Sequence, residues 1–282
     1  MAKTFIMTLY KSSRWCKLLF LILIIMIFFV GISHYSKREG FINQRQKFSL
    51  IKGPSIFDEF YSTVYDDIIT DNVKDEYQIG TIINKTGPTN KSLVLDIGSG
   101  TGNIVNLFNE KNINAIGLDK SASMVNIAKS KFPNLTFNQG DATNIMLYPA
   151  HSFTHITCLN DTIHYIKNKN PLIKNIYEWL IPGGYFIIAV NTSEDFSPSK
   201  HNKSLFNTFT YKSSTENVDG HIVFSEIFKD NNNKIRKQEH KLYVNDDVVK
   251  ITQDNGFVIE SKYNLSPVGY QDKQLYIFYK PE

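Results

Sequence analysis

The sequence predicts an α/β domain over residues 53–282, with helices on both faces of a doubly wound, mostly parallel sheet. From about residue 53, apolar runs of strand length alternate with segments whose apolar residues recur at helical spacing. The first of these strand-like runs ends in a glycine-rich turn that leads directly into a helical segment. Together the two patterns are typical of repeated βαβ units in three layers.

The elements of this sheet can be assigned in chain order. Apolar periodicity predicts two helices ahead of the first strand and one after it, at 56–69, 72–85 and 103–110. Ser121 is suited to cap the next helix. Asn170-Pro171 is suited to start the one after, which Pro182-Gly183-Gly184 ends. The strands expected in the parallel sheet are 92–97, 113–118, 135–138, 153–159 and 185–190.

After residue 190 the pattern changes to one typical of antiparallel strands. Three such strands are expected at 205–211, 221–229 and 235–244, with residues 230–233 as a turn. They predict a small cover on the main sheet. The remaining elements are a helix at 246–255, closed by Gly256, and strands at 257–263 and 274–279.

The N-terminal 52 residues differ from the rest and predict three segments: a basic tail (1–17), an apolar helix (18–32) and a basic linker (33–52). The apolar run gives roughly 23 Å of helix, against about 30 Å for the hydrocarbon core of a membrane. A signal anchor, a cleaved signal peptide and a buried core helix are the three interpretations. Gly31 and Ser33 form a poor cleavage site, and the run has no polar face, which favours a retained single-pass transmembrane helix.

Charge is divided unevenly along the chain. Residues 1–52 hold nine Lys or Arg and one Glu, so the remainder carries 22 basic and 26 acidic residues, a net charge of −4. The basic arm is either a membrane-surface segment or a solvated linker. A mildly acidic domain argues against nucleic acid as a partner. Both flanks of the apolar run are basic, so charge does not decide its orientation.

The cysteines and histidines suggest neither a disulfide framework nor a metal site. Cys16 and Cys158 both lie in apolar segments, and no His/Cys pair has the spacing of metal ligands. We expect no metal, and we interpret His201, His221 and His240 as surface or structural residues.

The segment Leu-Asp-Ile-Gly-Ser-Gly-Thr-Gly-Asn, residues 95–103, is the strongest functional signal. Glycines between a strand and a helix let the backbone approach a ligand closely, and the helix that follows offers free N–H groups. The spacing is G-x-G-x-G, and Asn103 stands where the third glycine of the dinucleotide-binding pattern would fall.

Two acidic residues follow at the ends of the next two strands. Asp119, in Gly-Leu-Asp-Lys-Ser-Ala-Ser-Met, can accept both hydroxyls of a ribose. Asp141, in Gly-Asp-Ala, can bind an adenine edge together with the adjacent backbone N–H. Because the carboxyl ends of parallel strands share one edge of the sheet, all of these groups are expected at one ligand site.

These three motifs resemble those of the class I S-adenosylmethionine (SAM)-dependent methyltransferases, from about residue 57 to the C-terminus. The resemblance implies a Rossmann-like seven-stranded sheet with its last strand antiparallel, and SAM as cofactor. It places Asp96, Gly98 and Gly100 at the methionine and sulfonium part of SAM, Asp119 at the ribose, Asp141 and Ala142 at the adenine, and Asn160 at the methyl group or the amino-acid moiety. The full set of expected cofactor-binding residues is Asp96, Gly98, Ser99, Gly100, Gly102, Asp119, Lys120, Asp141, Ala142, Asn160 and Tyr65.

Some positions leave alternatives open. Phe153-Thr154-His155 has a histidine where the family commonly has an acid, which leaves room for a non-catalytic relative. Tyr61 and Tyr65 either cap the cofactor or pack in the core. His164 is the candidate catalytic base, with a packing role for it and for Tyr165 as the alternative.

The function expected is methyl transfer from SAM to a small-molecule or lipid-like acceptor by direct in-line displacement. Aromatic residues between 191 and 245 and the membrane anchor at 18–32 favour such an acceptor. The alternatives are a protein or RNA methyltransferase and a non-catalytic SAM-binding module. We also expect a monomer whose catalytic domain faces the cytosol, where SAM is supplied and disulfides are rare.

Overall fold

The computed structural model describes residues 48–192, 209–244 and 247–282, and in addition Trp15 and Met26. Residues 50–231 and 236–282 form one compact unit, which contains all the site residues discussed below. Apart from Met26, the predicted transmembrane segment 18–32 lies outside the described residues. Within the described ranges, no helix is long and apolar enough to cross a membrane.

The main sheet has seven strands and is doubly wound, as the sequence predicts. Its order is β10-β11-β6-β5-β2-β3-β4. Strand β11 is antiparallel to both of its neighbours, and the other six strands run in one direction. The strands are β2 (Leu93–Ile97), β3 (Asn114–Asp119), β4 (Thr136–Gln139), β5 (Phe153–Cys158), β6 (Leu180–Asn191), β10 (Val258–Asn264) and β11 (Lys273–Tyr279).

Helices cover both faces of this sheet, because alternate strand residues point to opposite faces. Leu95 in β2 packs into one apolar cluster with Trp179, while its neighbour Val94 packs into another with Phe108. The α-helices are α1 (Glu59–Ile69), α2 (Asn72–Thr86), α3 (Asn103–Glu110), α4 (Ala122–Lys131), α5 (Asn170–Trp179) and α6 (Val248–Asp254).

The cover is a separate four-stranded sheet in the order β1-β9-β8-β7. Its strands are β1 (Phe48–Lys52), β7 (Phe209–Val218), β8 (His221–Asp230) and β9 (Ile235–Leu242). The expected turn at 230–233 is confirmed. The last five residues of the predicted linker form β1 instead, because their backbone groups pair with β9 at the edge of the cover.

Three element boundaries differ from the sequence prediction. The first helix begins at Glu59, because the Asp58 carboxylate accepts the Tyr61 N–H and caps it. Pro182-Gly183-Gly184 lies inside β6 rather than after a helix, since α5 already ends at Trp179. The predicted strand 205–211 is found as β7, which continues to Val218; residues 205–208 lie outside the described ranges.

Candidate active site

The glycine-rich loop between β2 and α3 forms the floor of the site. Gly98 and Gly100 have φ of +70° and +52°, which L-residues with side chains rarely adopt. The N–H groups of Gly98 and Ser99 both donate to the Leu118 carbonyl, at 2.8 and 3.1 Å. These bonds fix the loop against the end of β3. A β-carbon at Gly98 would lie 2.3 Å from Thr162, so the floor accepts no larger residue there.

The loop borders a cavity with an empty volume of about 350 Å³. Of the predicted cofactor residues, Tyr65, Asp96, Gly98, Ser99, Gly100 and Asn160 line it. The other predicted cofactor residues, and His164, are not among its lining residues. Six further lining residues were not predicted: Thr70, Asp75, Thr101, Asn103, Ile104 and Leu159.

Asp96 is buried at the end of β2 and lines this cavity. Burial raises the pKa of its carboxyl to about 7, although the Thr157 hydroxyl, 2.7 Å away, stabilises the ionised form. A buried carboxyl with a raised pKa gains from a positively charged ligand, because the ligand replaces the solvation that the charge has lost. Asp96 is therefore suited to the cationic end of SAM, as the resemblance implies.

Asp119, at the end of β3, binds the glycine-rich loop directly. Its two oxygens accept the N–H groups of Gly100 at 2.9 Å and Ser121 at 2.8 Å. Burial raises the pKa of Asp119, and these backbone bonds oppose that rise. An ionised carboxylate has about four lone-pair positions. The remaining capacity can accept hydrogen bonds from a ribose.

Lys120 and Asp141 form an ion pair at the more exposed rim of the site. Lys120 Nζ lies 2.7 Å from Asp141 Oδ2, and Thr143 donates to the other oxygen. Although partial burial opposes the shift, the bonds from Lys120 and Thr143 lower the pKa of Asp141 to about 2. The Ala142 carbonyl accepts the Asn175 amide at 2.9 Å. This fixes the strand end at which the adenine is expected.

The turn after β5 combines two left-handed residues with a buried ion pair. Asn160 and Asp161 have φ of +50° and +66°. Asp161 Oδ2 accepts Lys273 Nζ at 2.6 Å, and Oδ1 accepts the Asn191 amide at 2.7 Å. These bonds hold Asn160 at the wall of the cavity, next to the glycine-rich loop.

Tyr65 lies over the loop and thus occupies a capping position. A β-carbon at Gly100 would be 3.6 Å from its ring, an ordinary contact distance. The Tyr61 ring meets that of Tyr65 edge-on at 5.7 Å and is buried. Of the two predicted alternatives, Tyr61 is a core aromatic, whereas Tyr65 borders the cavity.

A polar cluster that the sequence did not reveal ties α1 to the loop. The Asp66 carboxylate accepts bonds from Thr101 at 2.5 Å, from Asn103 at 2.9 Å and from Lys131 at 2.5 Å. Lys131 also donates to Asn103 at 2.7 Å. Asn103, in place of a third glycine, is therefore the joint between helix and loop. The asparagine at the position of the third glycine was the only feature of the sequence that pointed to this cluster.

His164 lies on the short 3₁₀ helix Thr162–Tyr165 and is 1% exposed. Its Nε2 accepts the Asn191 N–H at 3.1 Å, and its carbonyl accepts the Tyr243 N–H at 2.7 Å. Burial lowers the pKa of its imidazole to about 4. These contacts favour a positioning role, and its role as a base stays a prediction.

His155, where the family commonly has an acid, packs as a neutral side chain within the sheet. Burial lowers the pKa of its imidazole to about 4, and its ring stacks on Tyr185 at 5.5 Å. Its neighbour Thr154 accepts the Leu93 N–H at 3.0 Å. The departure from the family pattern therefore lies away from the cavity wall. Among the described residues, no group of three or more His, Cys, Asp or Glu could hold a metal.

The residues fit SAM on two further observations. The Ser99 hydroxyl is buried, and within the described ranges it has no hydrogen-bond partner. The floor at Gly98 and Gly100 exposes backbone where side chains would fill the space. A ligand that carries both polar groups and positive charge satisfies these features together with Asp96 and Asp119.

Comparison with known proteins agrees with this site. Residues 94–184 match a family model described as a methyltransferase domain. An uncharacterized methyltransferase, OB1106 of Oceanobacillus iheyensis, is 26% identical over 159 residues, covering 51% of this chain and 70% of that protein. The ubiquinone/menaquinone biosynthesis C-methyltransferase UbiE of Campylobacter jejuni is 41% identical over 109 residues, covering 36% of this chain and 46% of that protein.

A solved structure shares the fold. It is a SAM-dependent methyltransferase from Clostridium acetobutylicum, which superimposes with a TM-score of 0.63 at 21% identity and covers 79% of this chain and 98% of its own. The chain spans about half the length of several curated relatives that it matches. On these findings the chain contains a methyltransferase domain at residues 94–184 and has the fold of a SAM-dependent methyltransferase.

Proposed function

We propose that the protein is a membrane-tethered methyltransferase that moves the methyl group of SAM to a small-molecule or lipid-like acceptor by direct in-line displacement. One observation carries the proposal: the buried Asp96 carboxyl and the glycine floor share a cavity that Tyr65 covers. Such an arrangement orients a cationic donor and limits the access of water.

SAM supplies its own activation when bound, since a sulfonium is a good leaving group. The protein needs only to align donor and acceptor and to keep water out. Asp96 stabilises positive charge at one end, Asp119 holds the ribose, and the turn at Asn160 faces the methyl group. No covalent intermediate on the protein is required.

The cover supports a small or lipid-like acceptor. Its inward-facing side chains include Tyr211, Phe224 and Phe228, all buried in an aromatic layer. Phe206, also predicted for this layer, lies outside the described residues. UbiE, the relative with 41% identity over its matched part, is named for a reaction of ubiquinone and menaquinone biosynthesis. An acceptor of that kind suits an enzyme held at a membrane.

The tether rests on the sequence of residues 18–32 and on the basic segments at each side of it. We propose a single-pass anchor with the catalytic domain in the cytosol. Protease protection of intact membrane vesicles tests this orientation. In inside-out vesicles, whose cytosolic face is outside, digestion of the domain only after the vesicles are opened would contradict it.

Two measurements separate the proposed activity from its alternatives. Calorimetry with SAM should show binding that Asp119→Ala removes, whereas the control Asp254→Ala, at an exposed pair on α6, should leave it intact. Incubation with methyl-labelled SAM and a membrane extract should place label in the lipid or small-molecule fraction. Label in protein or RNA would favour those alternatives. Binding without S-adenosylhomocysteine formation would indicate a non-catalytic module.

The remaining alternatives are tested by the same sample. We predict a monomer, which sedimentation in detergent checks. We also predict no affinity for nucleic acid, because residues 53–282 carry a net charge of −4.

A further inference from the structure

The inner face of the cover carries polar residues among its apolar ones. In β8 the inward-facing alternation of apolar side chains is interrupted by Glu226, which is 0% exposed. In β9 the buried positions include Gln238 and His240. A carboxylate is unfavourable in an apolar layer unless hydrogen bonds and opposite charge stabilise it. Its presence there requires a chemical explanation.

Glu226 is held in its ionised form by three donors. Tyr211 donates to Oε1, and Gln238 and His240 Nε2 donate to Oε2, each at 2.6 Å. Burial alone would raise the pKa of Glu226, but these three bonds outweigh burial and hold the pKa below its ordinary value. The centre of the cover therefore contains a fixed negative charge.

This charge determines which ring nitrogen of His240 carries the proton. An ionised carboxylate only accepts hydrogen bonds, so the proton of a neutral His240 lies on Nε2. Nδ1 is then an acceptor, and the Tyr165 hydroxyl lies 3.1 Å from it. The three side chains form a continuous path from Tyr165 through His240 to Glu226.

The outer end of this path lies beside the cofactor loop. Tyr165 and Thr162 are three residues apart on one 3₁₀ helix, where side chains at i and i+3 are on the same side. Thr162 is in contact range of Gly98, the floor of the site. Tyr165 is half-buried, whereas His240 and Glu226 are sealed. Of the three side chains, Tyr165 is therefore the one nearest to solvent.

Resting on the methyl transfer proposed above, we propose that Tyr165 takes the proton of the acceptor's hydroxyl or amine while passing its own proton to His240, with Glu226 as the counter-charge. The acceptor O–H or N–H bond breaks as a new Tyr165 O–H forms, and the former tyrosine proton moves to His240 Nδ1. The acceptor's lone pair forms the bond to the methyl carbon while the carbon–sulfur bond breaks and sulfur keeps that electron pair. The positive charge ends on His240, beside Glu226.

The groups facing Tyr165 make a simultaneous exchange of protons necessary. Burial raises the pKa of the Tyr165 phenol, and the charges of Glu226 and Asp161 and the neighbouring phenols of Tyr65 and Tyr211 raise it further. A free tyrosinate is therefore unfavourable. The tyrosine accepts a proton only as it gives one to His240, much as a carboxylate-oriented histidine serves a hydroxyl in hydrolases.

Tyr165→Phe and Tyr276→Phe form a matched pair for the test. Each removes one hydroxyl and one hydrogen bond, but the Tyr276 hydroxyl donates to Gln274 Oε1 at 2.9 Å, on a strand of the main sheet. With methyl-labelled SAM and either a total membrane lipid extract or a water-soluble cell extract, we expect Tyr165→Phe to lower kcat about 10²–10⁴-fold. The affinity for SAM by calorimetry should stay within about twofold of the wild type. Tyr276→Phe should retain the wild-type kcat.

Two further readouts separate a relay from a structural cluster. The ¹⁵N spectrum of the imidazoles, with His240 assigned through His240→Gln, should show the proton on Nε2. Glu226→Gln removes the counter-charge and disfavours the imidazolium, so it should lower kcat while the affinity for SAM stays near that of the wild type. A merely structural role would lower stability and leave kcat unchanged.

The outcomes are distinct. Equal kcat for Tyr165→Phe and the wild type, or a proton on His240 Nδ1, overturns the relay and leaves the proposed function standing. The nitrogen assignment needs no acceptor, so it decides even if neither extract is methylated. Failure of the wild type to bind SAM overturns the proposed function, and the relay with it.

Discussion

The Asp66 carboxylate in α1 accepts a 2.9 Å hydrogen bond from the Asn103 amide, at the first residue of α3. Lys131 donates to both Asp66 and Asn103, so one polar cluster joins α1, the glycine-rich loop and α4. The helix that carries Tyr65 is thereby held over the cavity floor.

Asp66→Asn should destabilise the fold and weaken SAM binding together. Hydrogen bonds to a charged group contribute about 1.5–3 kcal/mol each, and the asparagine keeps only some of them. We expect a loss of about 1–3 kcal/mol in the free energy of unfolding, measured by urea denaturation. Asp67→Asn, at the exposed neighbouring position, is the control and should change little. Equal stability of the two variants would show that the hydrogen bonds of Asp66 do not stabilise the fold.

The same carboxyl gives a pH dependence of stability. Its bonds to Lys131 and Thr101 lower the pKa of Asp66 in the folded state, against the opposing effect of burial. Its contribution is therefore present above the ordinary pKa of an aspartate, near 4, and is lost as the pH falls through the lower folded-state value. Asp66→Asn should show a shallower loss of stability with acid than the wild type.

Gly98→Ala should be far more harmful than Gly87→Ala. Both glycines have positive φ, +70° and +59°, so an added side chain strains both backbones by about 1–2 kcal/mol. At Gly87 the new β-carbon meets nothing within 4 Å, whereas at Gly98 it would lie 2.3 Å from Thr162. The difference in unfolding free energy between the two variants measures the clash alone. If Gly98→Ala bound SAM as the wild type does, the close packing of Thr162 against Gly98 would not be needed for binding.

SAM affinity should rise with pH up to about 7. Burial raises the pKa of Asp96 to about 7, so below this pH the unliganded site holds a proton on that carboxyl. A cationic ligand favours the ionised form, and binding must then release the proton. We expect the association constant to increase about tenfold per pH unit between about 5 and 7 and to level off above.

Calorimetry across this range tests the assignment to Asp96. In Asp96→Asn the affinity should be lower and independent of pH over the same interval. S-adenosylhomocysteine keeps the ammonium group but lacks the sulfonium. If the association constant of S-adenosylhomocysteine rises with pH in the same way, the ammonium group is the positive charge that Asp96 binds. If the affinity of the wild type did not depend on pH, Asp96 would not lie in contact with a positive charge of the ligand.

Lys273→Met should be severely destabilising, because it leaves Asp161 ionised and buried without its 2.6 Å partner. Removing one member of a buried pair costs roughly 3–5 kcal/mol. The double variant Asp161→Asn, Lys273→Met removes both charges and should recover much of the loss. If the double variant were no more stable than Lys273→Met alone, the unpaired charge of Asp161 would not be the main cause of the destabilisation. Lys85→Met, at an exposed pair with Glu260, is the control.

Short-range sequence patterns predicted the floor of the site well. Glycine spacing follows from local backbone geometry and indicated Gly98 and Gly100, whereas Asp96 was expected there only from the resemblance to the family; all three line the cavity. The residues that hold the site together were missed for a physical reason. Asp66 lies 37 residues from Asn103, and their contact depends on how α1 packs, which no local pattern encodes.

The cover was predicted only in outline. Glu226 interrupts an apolar alternation in β8, and this interruption is visible in the sequence as a charged residue between Phe224 and Phe228. The contact of Glu226 with His240 depends on the pairing of β8 with β9, so from the sequence we interpreted that histidine as a surface or structural residue. β1 escaped prediction because a short edge strand rich in basic neighbours has the composition of a linker.

The left-handed pair Asn160 and Asp161 has a consequence for how this protein can diverge. Two successive positive φ angles exclude β-branched and bulky side chains, so glycine, asparagine and aspartate are the substitutes that the backbone tolerates. Glycine would remove the anchor for Lys273. The rim of the cavity at Asn160 is thus limited to short side chains by chain geometry, so larger groups at this rim can arise only on neighbouring elements.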